Sequence, residues 1–214
     1  MSDLSQVISM LKDMNARLGR VEAKLGGAGG GAAAVSTATA APASVGGMLG
    51  DYDAWHTSAM KPINEAAVKL RENGFKSAKK CANFINKGCK GIRIILEAST
   101  KCKKPSDADF LKLMQGNVWS LTSEGKRVRT RKLGANYEKA LSETMDLFKW
   151  PTMSGEIGPC AFVQSTLGSV EFYGNRARTQ YKKTEHRALH MQYLNGVRDL
   201  INSLKKFILI AGFK

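Results

Sequence analysis

The chain of 214 residues has few of the residues that build disulfide-rich, metal-binding or membrane-spanning proteins. It has four cysteines and five prolines, and no two cysteines have the spacing of a zinc or redox motif. We therefore expect reduced thiols rather than disulfides or a metal site. No apolar run is long enough to cross a bilayer. Met1-Ser2-Asp3-Leu4 lacks the basic start of a secretory signal, so a cytoplasmic location is expected.

Acidic residues are scarce relative to basic ones. The chain has 33 lysines and arginines against 18 acidic residues, which gives a net charge of +15. This balance favours an acidic partner, and nucleic acid, an anionic membrane and an acidic protein face all stay open. The basic residues concentrate in three stretches: Lys76, Lys79, Lys80, Lys87, Lys90 and Arg93 leading into Lys101, Lys103 and Lys104; then Lys126, Arg127, Arg129, Arg131 and Lys132; then Arg176, Arg178, Lys182, Lys183 and Arg187.

Motifs of catalysis and of cofactor binding are also missing from the sequence. There is no Gly-x-Ser-x-Gly, no Walker A sequence and no metalloprotease motif. His186 and His190 are four residues apart on a predicted helix, a spacing that can bind zinc, but no third ligand accompanies them. We expect both histidines to lie at the surface or half-buried. We predict no catalytic residue, no metal and no cofactor, and an enzyme is the least favoured class.

The first 47 residues predict an oligomerisation helix followed by a linker. Apolar residues recur at alternating steps of three and four over residues 1–25, as in a coiled-coil seam. Such a helix is stable when its seam is buried against copies of itself or against a partner, although it can also pack on its own domain. Residues 26–47 are rich in glycine and alanine and predict a flexible linker. The predicted seam consists of Leu4, Val7, Leu11, Met14, Leu18, Val21 and Leu25.

Residues 48–214 predict a helical folded domain. Apolar residues recur with helical spacing and without sustained alternation, so we predict an all-α, antiparallel six-helix bundle. Local signals mark several boundaries. Asn73-Gly74 predicts a helix stop, Ser106 an N-cap and Pro159 a first turn. Pro62 predicts a kink or a restart within the first helix.

The last third carries an ordered set of short motifs. Phe148-Lys149-Trp150-Pro151 precedes Gly158-Pro159, which is followed by Phe172-Tyr173-Gly174-Asn175-Arg176 and then by Tyr181-Lys182. The loop Cys102-Lys103-Lys104-Pro105 lies upstream. In this order the set resembles the N-terminal helical domain of cyclase-associated proteins, a family of actin-filament regulators. That family also begins with a short heptad helix and an Ala/Gly/Pro-rich tether, so the resemblance covers nearly the whole chain.

The resemblance implies a non-enzymatic protein that acts as an oligomer. It would bind cofilin-decorated actin filaments and promote depolymerisation and turnover at the pointed end. The implied partners are actin and cofilin, with adenylyl cyclase as a further candidate, and the implied location is cytoplasmic and cytoskeleton-associated. The family's β-rich domain, which handles nucleotide exchange, has no counterpart here, so exchange is not expected of these residues. The alternatives are a basic nucleic-acid-binding protein and a peripheral membrane adaptor.

Several basic residues are candidates for contact with actin or cofilin. The loop before Ser106 projects two charges, and its proline lowers the entropy cost of ordering on binding. On a helix, Tyr173 and Arg176 share a face. We expect Tyr173 to lie in the core, whereas a structural and a partner-binding role for Arg176 are equally open. The contact candidates are Lys101, Lys103, Lys104, Pro105, Arg176 and Lys182.

Overall fold

The computed structural model describes residues 45–101, 105–153 and 157–213, and these residues form helices and no strand. The predicted all-α six-helix bundle is confirmed. The predicted seam, most of the predicted linker and the candidates Lys103 and Lys104 lie outside the described residues. The helices are α1 Val45–Glu72; α2 Ser77–Lys101; α3 Asp107–Met114, continued by a π-helical segment Gln115–Trp119 and by α4 Ser120–Lys126; α5 Ala135–Asp146, continued by a 3-10 helix Leu147–Thr152; α6 Pro159–Tyr181; and α7 Arg187–Ile210. Two of these α-helices, α3 and α4, are joined through the π-helical segment and together form one of the six helices of the bundle.

The long helices pack against their neighbours in antiparallel order. As a result, the starts of α1 and α6 lie at the same end of the bundle as the ends of α2 and α7. The turns that follow α1 and α6 lie at the opposite end. Three hydrogen bonds fix this order: the Trp55 indole to Ser203 (2.8 Å), the Tyr52 hydroxyl to the Cys89 carbonyl (2.8 Å), and the Lys205 ammonium to Gln164 (2.9 Å).

The turn after α1 is closed by a glycine in the left-handed region. Gly74 has φ +87°, and the amide of Phe75 donates to the Leu70 carbonyl at 2.8 Å. This is a Schellman closure, which satisfies carbonyls at the helix end and turns the next side chain back onto the domain. The helix stop predicted at Asn73-Gly74 is therefore confirmed. Phe75 packs onto the core as a result.

Other local predictions have mixed outcomes. Ser106 caps α3, since its hydroxyl accepts from the Asp109 amide at 3.1 Å, and Pro159 occupies the first turn of α6. Both predictions are confirmed. By contrast, α1 runs through Pro62 as one helix, so the restart predicted there is wrong. Proline removes the bond to the carbonyl four residues earlier, and that residue, Ser58, is exposed, so water can replace the lost donor.

Two glycines of α2 allow unusually close packing against the rest of the bundle. A Cβ at Gly88 would lie 2.2 Å from the Phe148 ring, and a Cβ at Gly91 would lie 2.3 Å from the Asn117 carbonyl oxygen in the π-helical segment. Phe148 belongs to the Phe-Lys-Trp-Pro motif, in which Trp150 is also buried. The motif therefore supplies core packing rather than a surface for partners.

Candidate interaction surfaces

A cluster of aromatic rings holds three turns of the chain together at one end of the bundle. Phe75, from the turn after α1, lies with its ring centroid 5.9 Å from Tyr181, 5.4 Å from His186 and 4.8 Å from His190. The Tyr181 ring stacks on His190 at 3.5 Å. The Tyr181 hydroxyl donates to the Lys132 carbonyl at 2.9 Å. The turns that follow α1, α4 and α6 therefore meet around this cluster.

The surface of these three turns is strongly basic. Its carboxylates include Glu72 and Glu185, and Glu185 lies 3.2 Å from the His186 ring. Six exposed cations from all three basic stretches of the sequence converge here. Within the described parts of the chain, none of them forms an ion pair. We call this surface the basic end, and it consists of Lys76, Arg131, Lys132, Lys182, Lys183 and Arg187.

His190 is completely buried beneath the basic end. Its Nδ1 lies 2.7 Å from the Tyr137 hydroxyl, and its Nε2 has no hydrogen-bond partner among the residues that the structure describes. Burial, and secondarily the neighbouring His186, lower the pKa of His190 to about 4, so the ring is neutral near pH 7. The expected surface or half-buried location is wrong for His190 and right for His186. Among the described residues, no cluster of three or more potential ligands can hold a metal ion.

An exposed aromatic ring and an arginine form a pair on the outer face of α6. Phe172 is 52% exposed, and the Arg176 guanidinium lies 4.2 Å from its ring centroid, in cation–π contact. Arg176 has no ion pair within the described segments. Tyr173 is half-buried, so its expected place in the core is wrong, and its ring contacts the exposed ring of Phe172. The pair presents a large apolar surface with a charge held above it.

Arg178, two residues further on, is the arginine with a structural role, and sequence reasoning missed it. Its side chain is 16% exposed. It donates to Glu171 at 3.1 Å, to Asn175 at 2.7 Å and to Asn195 on α7 at 3.2 Å. It therefore ties α6 to α7. The seven-residue spacing from Glu171, which is two helical turns, was the signal available in the sequence.

Those predicted contact residues that the structure describes do not gather in one site. Lys101 ion-pairs with Glu97, a carboxylate that also accepts from Arg93 at 2.7 Å. Lys101 is the last residue of α2, and the half-buried Pro105 comes shortly after it. Both lie at the end opposite Lys182. The 23 residues of α6 set the distance between the two ends at roughly 35 Å. Arg176 lies between these ends on the side of α6.

The buried thiols do not have the properties of nucleophiles. Burial raises the pKa of both Cys81 and Cys89 to about 12, so both are protonated at neutral pH. Cys81 lines a cavity of about 20 Å³ together with Tyr137 and Tyr193. A space of that size holds roughly one water molecule. It has no room for a substrate.

Helical packing around buried aromatic motifs, with basic and aromatic side chains exposed on the outside, defines an all-α helical-bundle domain. The family model described as CAP, N-terminal domain, matches residues 52–210, almost the whole bundle, so the chain belongs to the family of cyclase-associated proteins. This family consists of non-enzymatic regulators of actin that are cytoplasmic and cytoskeletal in general. No curated protein matches the chain. In the described segments, no helix is long and apolar enough to span a bilayer.

Proposed function

We propose that this protein binds cofilin-decorated actin filaments and promotes their depolymerisation at the pointed end. The observation that carries the proposal is the family match across residues 52–210. Residues 1–25 would assemble the chain into a homo-oligomer, 26–47 would tether the copies, and 48–214 would engage the filament. The proposed location is cytoplasmic and cytoskeleton-associated. Actin and cofilin are the proposed partners, and adenylyl cyclase is a further one.

The proposed mechanism is a difference in affinity between two states of the terminal subunit. A protein can shift an equilibrium only by binding one state more tightly than the other. Preferential binding to the departing or distorted subunit therefore speeds its release. Assembly through the seam would hold several domains near one filament end, so that weak contacts act at high effective concentration.

The Phe172–Arg176 pair is the part of the domain best suited to contact the filament. Aromatic and arginine side chains dominate the binding energy of protein interfaces, and here the pair is exposed and preorganised by its own stacking. Lys182 extends the same helix towards the basic end. Lys101, with Lys103, Lys104 and Pro105, forms a second candidate contact, although the ion pair to Glu97 would have to be shared with the partner.

The test is single-filament imaging of cofilin-decorated actin at physiological salt. We expect the wild-type chain to accelerate pointed-end shortening, and the double variant Phe172→Ala/Arg176→Ala to lose most of that acceleration. The matched control is Lys90→Ala/Ile94→Ala, which removes a cation and an exposed apolar side chain with the same spacing from α2. Its activity should equal that of the wild type.

Two results would count against the proposal. If the folded wild-type oligomer does not accelerate pointed-end shortening, the proposed activity is refuted. Acceleration that survives in the Phe172/Arg176 variant would leave the activity in place and move the contact to another surface.

A further inference from the structure

We propose that the basic end docks face-on to a bilayer containing acidic phospholipids. Six exposed cations from three turns meet there, without ion pairs among the described residues, and they face a small number of carboxylates. Charge complementarity therefore favours a polyanionic partner. This inference does not depend on the actin-related function proposed above.

Helix direction adds to the positive potential of the basic end. Because the helices are antiparallel, α2, α5 and α7 all begin at this end. The first turn of α5 contains Glu138, which pairs with Arg129. The first turns of α2 and α7 contain no acidic residue, so the partial positive charges of these two N-termini are not offset by carboxylates of those turns. Lys76 and Arg187 lie beside these two helix starts. The side chains and the backbone thus contribute potential of the same sign.

The basic end is suited to adsorption on a bilayer without insertion into it. The exposed large apolar side chains of the described residues lie elsewhere, on helix sides or at the opposite end: Ile94, Ile157, Phe172, Leu209 and Ile210. The rings nearest the basic end pack into the aromatic cluster instead. Binding would therefore depend on electrostatic attraction, which is sensitive to salt.

The distribution of the cations favours a lipid surface over nucleic acid. They come from three separate turns at a blunt end, so a flat layer of headgroups contacts all of them at once. Duplex DNA is read by an element that projects into a groove, and single strands require exposed aromatic rings for stacking. The basic end offers neither feature. Its buried rings are not available to bases.

Binding of the full-length chain to vesicles tests the proposal. The vesicles contain phosphatidylcholine alone or phosphatidylcholine with phosphatidylserine, at low and at physiological salt. The end variant is Lys76→Ala/Lys182→Ala/Lys183→Ala. The control Lys61→Ala/Lys90→Ala/Lys206→Ala removes the same charge from exposed lysines on helix bodies.

We expect wild-type binding that requires phosphatidylserine and weakens as salt rises. The end variant should bind on the order of a hundredfold more weakly, since each lysine near the surface contributes roughly a fivefold gain in affinity. The control should lose no more than about threefold, because distant charges are screened within roughly 8 Å at physiological salt. Helicity measured by circular dichroism confirms that each variant is folded.

Three outcomes would overturn the inference. The first is no binding to phosphatidylserine vesicles at low salt. The second is an equal loss of vesicle affinity in the end variant and in the control, which would indicate that net charge, rather than a docking surface, determines binding. The third is tighter binding to duplex RNA than to vesicles, with the end variant impaired only for RNA, which would assign the basic end to nucleic acid.

Discussion

His190 is an ionisable side chain that the fold keeps neutral. A histidine in an unfolded chain has a pKa of about 6.5, whereas burial lowers the pKa of His190 to about 4. Between these two pH values the unfolded chain binds more protons than the folded one. The free energy of unfolding therefore falls as the pH is lowered through this window, and the full contribution is present above it.

Replacing His190 by Phe should remove this dependence. We expect the loss of unfolding free energy between pH 6.5 and pH 4 to shrink by up to about 3 kcal/mol. At pH 7 the variant should be less stable by about 1 to 3 kcal/mol, because the Tyr137 hydroxyl loses its buried partner. Urea denaturation at a series of pH values measures both effects. If the free energies of unfolding of the wild type and of the variant change equally with pH, the lowered pKa assigned to His190 is wrong.

The two arginines of α6 should respond differently to truncation. Arg178→Ala removes three hydrogen-bonded contacts and the link to α7 through Asn195, so we expect a loss of about 1 to 3 kcal/mol in stability. Arg176→Ala removes only a surface cation–π contact and should cost less than about 1 kcal/mol. Chemical denaturation of the two single variants compares them directly. Similar losses for both would refute the division of roles.

At the scale of the helices, α2 approaches the backbone of the π-helical segment closely at Gly91. Gly91→Ala would place a methyl group 2.3 Å from the Asn117 carbonyl oxygen. Because backbone must move to make room, we expect a loss of at least about 1 to 3 kcal/mol. Thermal and chemical denaturation would show it as a lower midpoint.

Gly168→Ala is the matched control within α6. A Cβ at Gly168 meets no atom of the described residues within 4 Å, so alanine should stabilise the helix by about 0.5 to 1 kcal/mol. The two substitutions are chemically identical and have opposite expected signs. A loss of stability at both positions would show that helix propensity and local space do not determine the effect of replacing these two glycines.

The sequence predicted helix boundaries where a local chemical signal sets them. The Asn73-Gly74 stop, the Ser106 cap and the Pro159 start each depend on residues within one turn. The burial of His190 was predictable in part, because it lies three residues before Tyr193 and seven before Val197 on the buried face of α7. The role of Arg178 was harder to predict, since its partner Asn195 comes from the neighbouring helix.

At the scale of the whole molecule, the convergence of charge was outside the reach of sequence reasoning. Lys76, Lys132 and Lys182 are separated by about 50 residues each, and only the antiparallel order of the helices brings their turns together. The same order separates Lys101 from Lys182, which the sequence placed in one candidate set. Composition predicted the sign of the charge, whereas topology decides where it acts.

Oligomerisation through the seam remains a prediction at this scale. The double variant Leu11→Glu/Leu18→Glu places charges in the seam and should reduce the particle to a monomer in analytical ultracentrifugation. Its thermal midpoint should match that of the wild-type helical domain. Filament shortening at equal chain concentration should fall by about tenfold or more, because the gain in effective concentration is lost. An unchanged mass would contradict the predicted coiled coil.

The antiparallel order also gives the domain a direction. Val45, where the preceding residues join, lies at the end opposite the basic end, and the 28 residues of α1 place roughly 40 Å between them. In a domain docked on a bilayer through its basic end, Val45 would therefore lie far from the membrane surface. The side of α6 that carries Phe172 and Arg176 would remain uncovered, so the proposed contacts with a bilayer and with a filament would not compete for the same surface.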